Sequence, residues 1–207
     1  MRASAPTTRA IRAVESFKTA GEAIGPIVAG ASMFAITRGQ WSMLDAVLWC
    51  LDQVGPARLS LWTWTIADYE IDVFNRMRDD GRVTDGRLVI DAAARGKNRP
   101  LLDAWMCRFG AGSVRYVVNH AKIATIETDA YRLLLRGSMN LNFNARFEQF
   151  DLSEGGPAFD LVRQIEDELP ALDIGASGSE VYAASKVSQA FDADTLAMFA
   201  GVKRWAK

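Results

Sequence analysis

The stretch Leu59-Ser-Leu-Trp-Thr-Trp-Thr-Ile66 alternates in the manner of a strand and is rich in β-formers. A period of two suits a sheet, whereas helical apolar positions recur every three or four residues. Around it the pattern switches repeatedly between the two periods. Met33 to Thr37 reads as a buried strand, and a helix follows from about Ser42 to Val54, ended by Gly55-Pro56. Asp68 suits the N-cap of a helix reaching Arg78. Arg87 to Ala92 forms a short apolar strand after an Asp85-Gly86 turn, and Pro100 fits the first turn of a helix to Phe109. Val114 to Thr128 and Arg132 to Ser138 read as paired strands, Phe147 to Leu152 as another, and Pro157 to Leu169 as a helix. Strands alternating with helices specify an α/β fold: a mixed, largely parallel sheet flanked by helices on both faces, with one antiparallel hairpin.

The two ends read differently. Residues 8 to 20 favour a short amphipathic helix, which makes 1–20 an N-terminal helical segment ahead of a 21–170 domain. The apolar run Ala23 to Ile36 follows basic residues as in a signal peptide. Glu15 and Glu22 interrupt the basic region, though, and Gly25-Pro26 breaks a run already shorter than the ~20 residues of a membrane span. A cytoplasmic chain without an integral span is expected. After Pro170, Gly175 to Ser179 reads as a flexible joint and Val181 to Phe199 as a weakly amphipathic helical tail, so 171–207 forms an appendage. No internal repeat is visible.

Composition narrows the chemistry. The formal net charge is −1 and the pI is near 5.9, so no global positive field advertises a polyanion. The arginines at 76, 78 and 82, and the basic group Arg95, Lys97 and Arg99, read as solvated helix ends and loops. Cys50 and Cys107 lie in apolar helical segments and read as buried free thiols. With one histidine and no close cysteine pair, a zinc site of ordinary ligands cannot be assembled, and no metal or cofactor is expected.

That one histidine, His120, stands in His120-Ala121-Lys122, followed by Gly137-Ser138-Met139-Asn140 and by Asn142, Asn144 and Glu148. An imidazole of unperturbed pKa about 6.5 suits attack on, or protonation of, a phosphoester at neutral pH. Lysine, hydroxyl and amide groups supply the charge and hydrogen bonds that a phosphorane needs. A three-residue loop at Asp129-Ala130-Tyr131 sets Thr128 opposite Arg132, hence Lys122 opposite Ser138 and His120 opposite Asn140. All four side chains then share one face, an inference that a one-residue slip in register would undo.

His120-x-Lys122, Glu127 and Gly137-Ser138-x-Asn140 together resemble the signature of the phospholipase D superfamily, and the element order from about Gly30 to Leu169 resembles one half of such an enzyme. The family usually has aspartate where Glu127 stands, and the gap before its Gly-Ser is three residues shorter. Seven residues from His120, Glu127 falls on the opposite strand face and more than ~20 Å along the chain, so its expected role is structural. The resemblance implies a metal-independent phosphodiesterase. With a single motif it implies a two-fold homodimer that brings together two His120 residues, one forming a phosphohistidine and the other protonating the leaving oxygen. Lys122, Asn140 and Ser138 would hold the phosphoryl oxygens, and Glu148 would hold the second imidazole nitrogen.

Other residues carry weaker readings. Asn142 and Asn144 continue the parity of Asn140, and Arg146 is placed either to contact phosphate or to face solvent. Trp62 and Trp64 read as core packing of a central strand, with base stacking as the alternative. Asp91 reads as a cap or turn, and Gly110-Ala-Gly112 lacks the following helix of a phosphate loop. An endonuclease acting on DNA is the leading function. The alternatives are a phospholipase or phosphatidyltransferase, with Trp41, Met33 or Phe143 as an apolar rim, and a non-catalytic nucleic-acid-binding or assembly module.

Overall fold

The computed structural model describes residues 11–15 (backbone only), 19–143, 145–172 and 175–185. In chain order the elements are β1 (Ile11–Glu15), α1 (Ala20–Ile24), β2 (Ser32–Thr37), α2 (Met43–Val54), β3 (Ala57–Thr63), α3 (Asp68–Asp79), β4 (Val83–Asp91), α4 (Ala94–Lys97), α5 (Arg99–Phe109), β5 (Val114–Val117), β6 (Lys122–Glu127), β7 (Arg132–Gly137), β8 (Glu148–Glu154), α6 (Pro157–Glu168) and α7 (Gly178–Ala184). The strands form one mixed sheet in the order β1-β2-β8-β7-β6-β3-β4-β5. Pairing is parallel for β1–β2, β3–β4 and β4–β5 and antiparallel for the other four ladders. Following these ladders across the sheet, only β6 and β8 run against the remaining six strands.

Alternation along each strand sorts the side chains to two faces. Met33, Ala35, Phe150, Leu152, Leu133, Leu135, Ala124, Ile126, Leu59, Leu61, Leu88 and Ile90 form one continuous apolar layer with α2, α3 and α5. Each of the larger side chains, fully buried, contributes roughly 1.5–3 kcal/mol. On the opposite face α6 packs Phe159 and Val162 against Leu134, Trp62 and Ile123. The α/β expectation, with helices on both faces, therefore holds.

Beneath α6 lies a buried carboxylate. Glu166 is fully buried and accepts hydrogen bonds from Ser60 Oγ, from Trp62 Nε1 at 2.7 Å and from Arg163 Nη1 at 2.7 Å. The Arg87 guanidinium lies 3.7 Å away. A carboxylate at such depth is tolerated because donors and guanidinium groups surround it.

Several boundaries differ from expectation. Residues 11–15 form an edge strand beside β2, not part of an amphipathic helix, and α1 begins only at Ala20, capped by Thr19. Sheet pairing decides the state of so short a segment where local periodicity is ambiguous. Strand β4 begins at Val83 and runs through the expected Asp85-Gly86 turn. Gly86 is needed there for packing, since a Cβ at that position would lie 2.5 Å from the Phe109 ring. Strand β3 ends at Thr63, and α3 is capped at Ala67, whose N–H donates to Glu70 at 2.8 Å, not at Asp68.

The expected joint at 175–179 is in part the start of a helix: Ser177 caps α7, with a reciprocal bond to Glu180. The tail beyond 185 lies outside the described residues. Cys50 is buried, which pushes its thiol up to about 12, whereas Cys107 is exposed rather than buried. No helix among the described residues is long and apolar enough to cross a membrane.

Candidate functional site

The C-terminal ends of β2, β3, β4 and β7 and the N-terminal ends of β6 and β8 meet at one edge of the sheet, where ligands of α/β folds are commonly bound. The single long strand expected from Val114 to Thr128 is two strands, because the chain leaves β5 at the sheet edge and returns as β6 beside β3. The crossing at 118–121 is held by Asn119. Its N–H donates to Asp91 Oδ2 at 2.9 Å, its Nδ2 donates to the Thr63 carbonyl at 3.0 Å, and its Oδ1 accepts from Ala121 N at 2.9 Å. Asp91 also accepts from Ala93 N at 2.8 Å. The turn role expected of Asp91 is thus observed, and through Asn119 it positions the backbone on either side of His120. Asn119 itself was not foreseen, since a lone asparagine before a histidine carries no spacing signal.

His120 is exposed at this turn, and Lys122, the first residue of β6, is buried. Lys122 Nζ lies 3.1 Å from His120 Nδ1 and donates to the His120 carbonyl at 2.7 Å. Burial holds the Lys122 ammonium below the ordinary lysine range, and the Glu148 charge opposes that shift. A lowered lysine pKa means that the folded state binds fewer protons than the unfolded one. Stability therefore rises with pH from the folded pKa up to the ordinary lysine value. Compared with Lys122→Met, wild-type protein is expected to gain melting temperature steadily as pH is raised through that interval. Parallel melting curves for the two proteins across pH would remove this reading of Lys122.

The hairpin carries a register correction. Glu127 pairs with Arg132 and Lys122 with Gly137, one residue away from the expected alignment. The turn is tighter than the three-residue loop assumed: Thr128 N donates to the Tyr131 carbonyl at 2.9 Å, and Thr128 Oγ1 accepts from Ala130 N and Tyr131 N. A threonine hydroxyl that closes its own turn is a local competitor that strand counting omits. Lys122 thus faces a glycine, and the expected pairing of His120 with Asn140 is not formed.

Ser138 nevertheless reaches the site edge, because β7 ends one residue before it. Its N–H donates to the Gln149 carbonyl at 3.0 Å, its Oγ accepts from Gln149 N at 2.9 Å, and its Oγ–H donates to the Glu148 carboxylate. Glu148 therefore accepts from Ser138, in place of the expected imidazole nitrogen, and Nδ1 of His120 faces Lys122 instead. Gly137 makes this closure possible: a Cβ there would sit 2.1 Å from the Gln149 carbonyl oxygen. Gly137→Ala is expected to part β7 from β8 and cost roughly 2–3 kcal/mol, a fall of several degrees in melting temperature. An unchanged melting curve would mean that the strands accommodate the methyl group.

Past Ser138 the chain buries Met139 and Leu141, leaving Asn140 and Asn142 half-buried between them. The side-chain oxygens of both asparagines are buried and have no hydrogen-bond partner among the described residues. Local hydrogen bonding thus does not account for their polarity. Asn144 lies outside the described residues, and Arg146 is exposed. Glu127 stands 3.8 Å from both Arg58 and Arg163, at the far end of β6, consistent with the structural role expected of it.

Two aromatic expectations change. Trp62 is half-buried under α6, as core packing requires, but Trp64 lies beyond β3, 47% exposed, with its ring 6.1 Å from the His120 imidazole. Trp41 and Met33 belong to the core and form no rim. Phe143 is exposed, as is Phe147, over which the Arg38 guanidinium lies at 5.3 Å. No cluster of three metal-ligating side chains occurs among the described residues.

No protein-family model matches this chain, and no curated protein matches it. Among solved structures, it is similar to phosphatidylserine synthase of Haemophilus influenzae Rd KW20, with a TM-score of 0.46 and 13% identity over 66% of this chain. The match spans 37% of the length of that protein.

Proposed function

We propose that this chain is a phosphodiesterase of the phospholipase D type, working without a metal through a phosphohistidine on His120 and acting as an endonuclease on DNA. The observation that carries the reading is the pairing of the one histidine with a buried lysine, Nδ1 to Nζ at 3.1 Å, at the edge of the sheet where strand ends converge. The contact also gives Lys122 control of the imidazole proton. When Nζ is charged it donates to Nδ1 and the ring proton sits on Nε2; as Nε2 gives that proton to the leaving oxygen, Nδ1 takes one from Nζ, so the ring stays neutral. When Nζ is neutral it accepts from Nδ1–H, and the Nε2 lone pair is free to attack phosphorus.

Attack forms the Nε2–P bond and breaks the P–O bond to the leaving group, whose oxygen takes a proton from the His120 of a second copy. Water, deprotonated by that second imidazole, then cleaves the Nε2–P bond and releases the phosphate product. Lys122, Ser138 and Asn140 steady the phosphoryl oxygens, and Glu148 orients the Ser138 hydroxyl. Because each chain has a single motif, the working unit is a homodimer with a two-fold axis at the site.

Exposed Trp64, Phe143 and Phe147 favour a second reading, a phospholipase or phosphatidyltransferase whose rim contacts lipid. Purified protein is incubated in excess EDTA with plasmid, single-stranded DNA and phosphatidylcholine vesicles, with size measured by light scattering. Cleavage of DNA by a dimer is the expected result. Release of choline or phosphatidic acid alone would select the lipid reading, and inertness toward all three would leave a binding module.

A further inference from the structure

On the α6 side of the same strand ends lies an open cleft of about 310 Å³, lined by Lys122, Arg136, Ser138, Gln149 and Asp151 among others. Arg136 is exposed, and its side chain makes no hydrogen bond or ion pair among the described residues. Seven other arginines, Arg58, Arg82, Arg87, Arg99, Arg108, Arg132 and Arg163, pair with carboxylates. A carboxylate is at hand, since Asp151 is the cross-strand neighbour of Arg136. Asp151 instead accepts from the Gln149 amide at 2.7 Å, so the guanidinium keeps its fork of donors unused.

We infer that this cleft is a second anionic subsite, in which Arg136 holds the phosphate next in line to the one at His120, so that the substrate is a strand of linked phosphodiesters. The inference rests on the phosphodiesterase reading above and narrows its substrate. A planar guanidinium matches two phosphate oxygens at once. The cleft adjoins the reacting position through Lys122 and Ser138, so a strand crossing the ends of β6, β7 and β8 meets Lys122 on one sheet face and Arg136 on the other. With a net charge of −1, no general field gathers a polyanion here, and individual cations must hold it. Asp151 lies on the same face and limits the affinity, which makes the subsite one for a flanking phosphate and not for the reacting one. A lone lipid phosphodiester has no second phosphate to place there.

The protein is compared with Arg136→Gln, Arg136→Lys and, as a control, Arg76→Gln, a change at an exposed arginine near the end of α3. Binding of a fluorescein-labelled single-stranded oligonucleotide is followed by anisotropy over a range of salt in EDTA. Cleavage of that strand is compared with cleavage of bis(p-nitrophenyl) phosphate, which carries one phosphate. Arg136→Gln is expected to weaken oligonucleotide binding about tenfold, to lower the slope of log affinity against log salt by about one, and to lower the ratio of kcat/KM between the two substrates similarly. Arg136→Lys should restore part of each, and Arg76→Gln should match wild type.

Equal affinities and salt slopes for wild type and Arg136→Gln would overturn the subsite. So would equal losses on both substrates, which would put Arg136 at the reacting phosphate, or, with binding to phosphatidylglycerol vesicles measured alongside by co-sedimentation, a loss of vesicle binding alone, which would give the anion to a lipid headgroup. Should the protein cleave neither substrate, the catalytic reading fails, while the binding data still decide the subsite.

Discussion

His120→Ala is expected to lower phosphodiester cleavage by about 10⁴-fold or more, measured on DNA in excess EDTA. In the mechanism proposed above the side chain does two jobs, as nucleophile in one subunit and as proton donor in the other, and removal of a covalent nucleophile typically costs several orders of magnitude. Among the described residues no neighbour substitutes for it: Lys122 is buried beneath the turn, and Ser138 already donates to Glu148. The same change should leave folding almost untouched. His120 is exposed, and the carbonyl that accepts from Lys122 at 2.7 Å belongs to the backbone and survives the substitution. A shift of at most ~0.5 kcal/mol is anticipated for such a surface position. Activity within tenfold of wild type, in protein of normal melting temperature, would remove His120 from the chemistry.

Glu166→Ala should have the converse effect, a large loss of stability. The substitution strands the Trp62 indole N–H and the Ser60 hydroxyl, leaves Arg163 only the more distant Glu127, and takes from Arg87 one of its two carboxylate neighbours. Breaking a buried pair by deleting one partner costs about 3–5 kcal/mol. For a chain of this length that corresponds to a fall of roughly 6–20 °C, read from a circular dichroism melt. Glu166→Gln keeps an acceptor for Ser60 or Trp62 and should fall less. A melting temperature for Glu166→Ala within two or three degrees of wild type would mean that α6 is held by Phe159 and Val162 alone.

The layered α/β architecture was legible because period-two runs such as Leu59 to Leu61 and period-three-to-four runs such as Met43 to Leu51 report which face is buried, whatever the partner. Legibility failed where pairing or turn chemistry outweighed periodicity. Residues 11–15 have a pattern that either state could use, and only the parallel ladder to β2 makes them a strand. His120, Lys122, Ser138 and Asn140 were named from their spacing and Glu148 from the resemblance, yet the hairpin alignment was off by one. Strand counting holds the turn length fixed, whereas the Thr128 hydroxyl sets it here. Glu148 was placed at the right sheet edge with the wrong partner, since a carboxylate takes the nearest donor and Ser138 lies closer in register than the imidazole. Neither Asn119 nor Arg136 carries a motif. Their parts emerge only when the carbonyl of Thr63 and the carboxylate of Asp151 are located.

Lys122 occupies the same strand face as Ala124 and Ile126, two residues of the central layer. The candidate pair His120–Lys122 is thus a direct extension of the hydrophobic interior, while Trp64, Phe143 and Phe147 sit on connecting segments that bear little of the load. Such a division lets the rim be rewritten for new ligands at small thermodynamic expense, and it couples any slackening of the interior directly to the reacting atoms. Heat inactivation and global melting of this molecule should then coincide, with no warm regime of folded but silent protein between them.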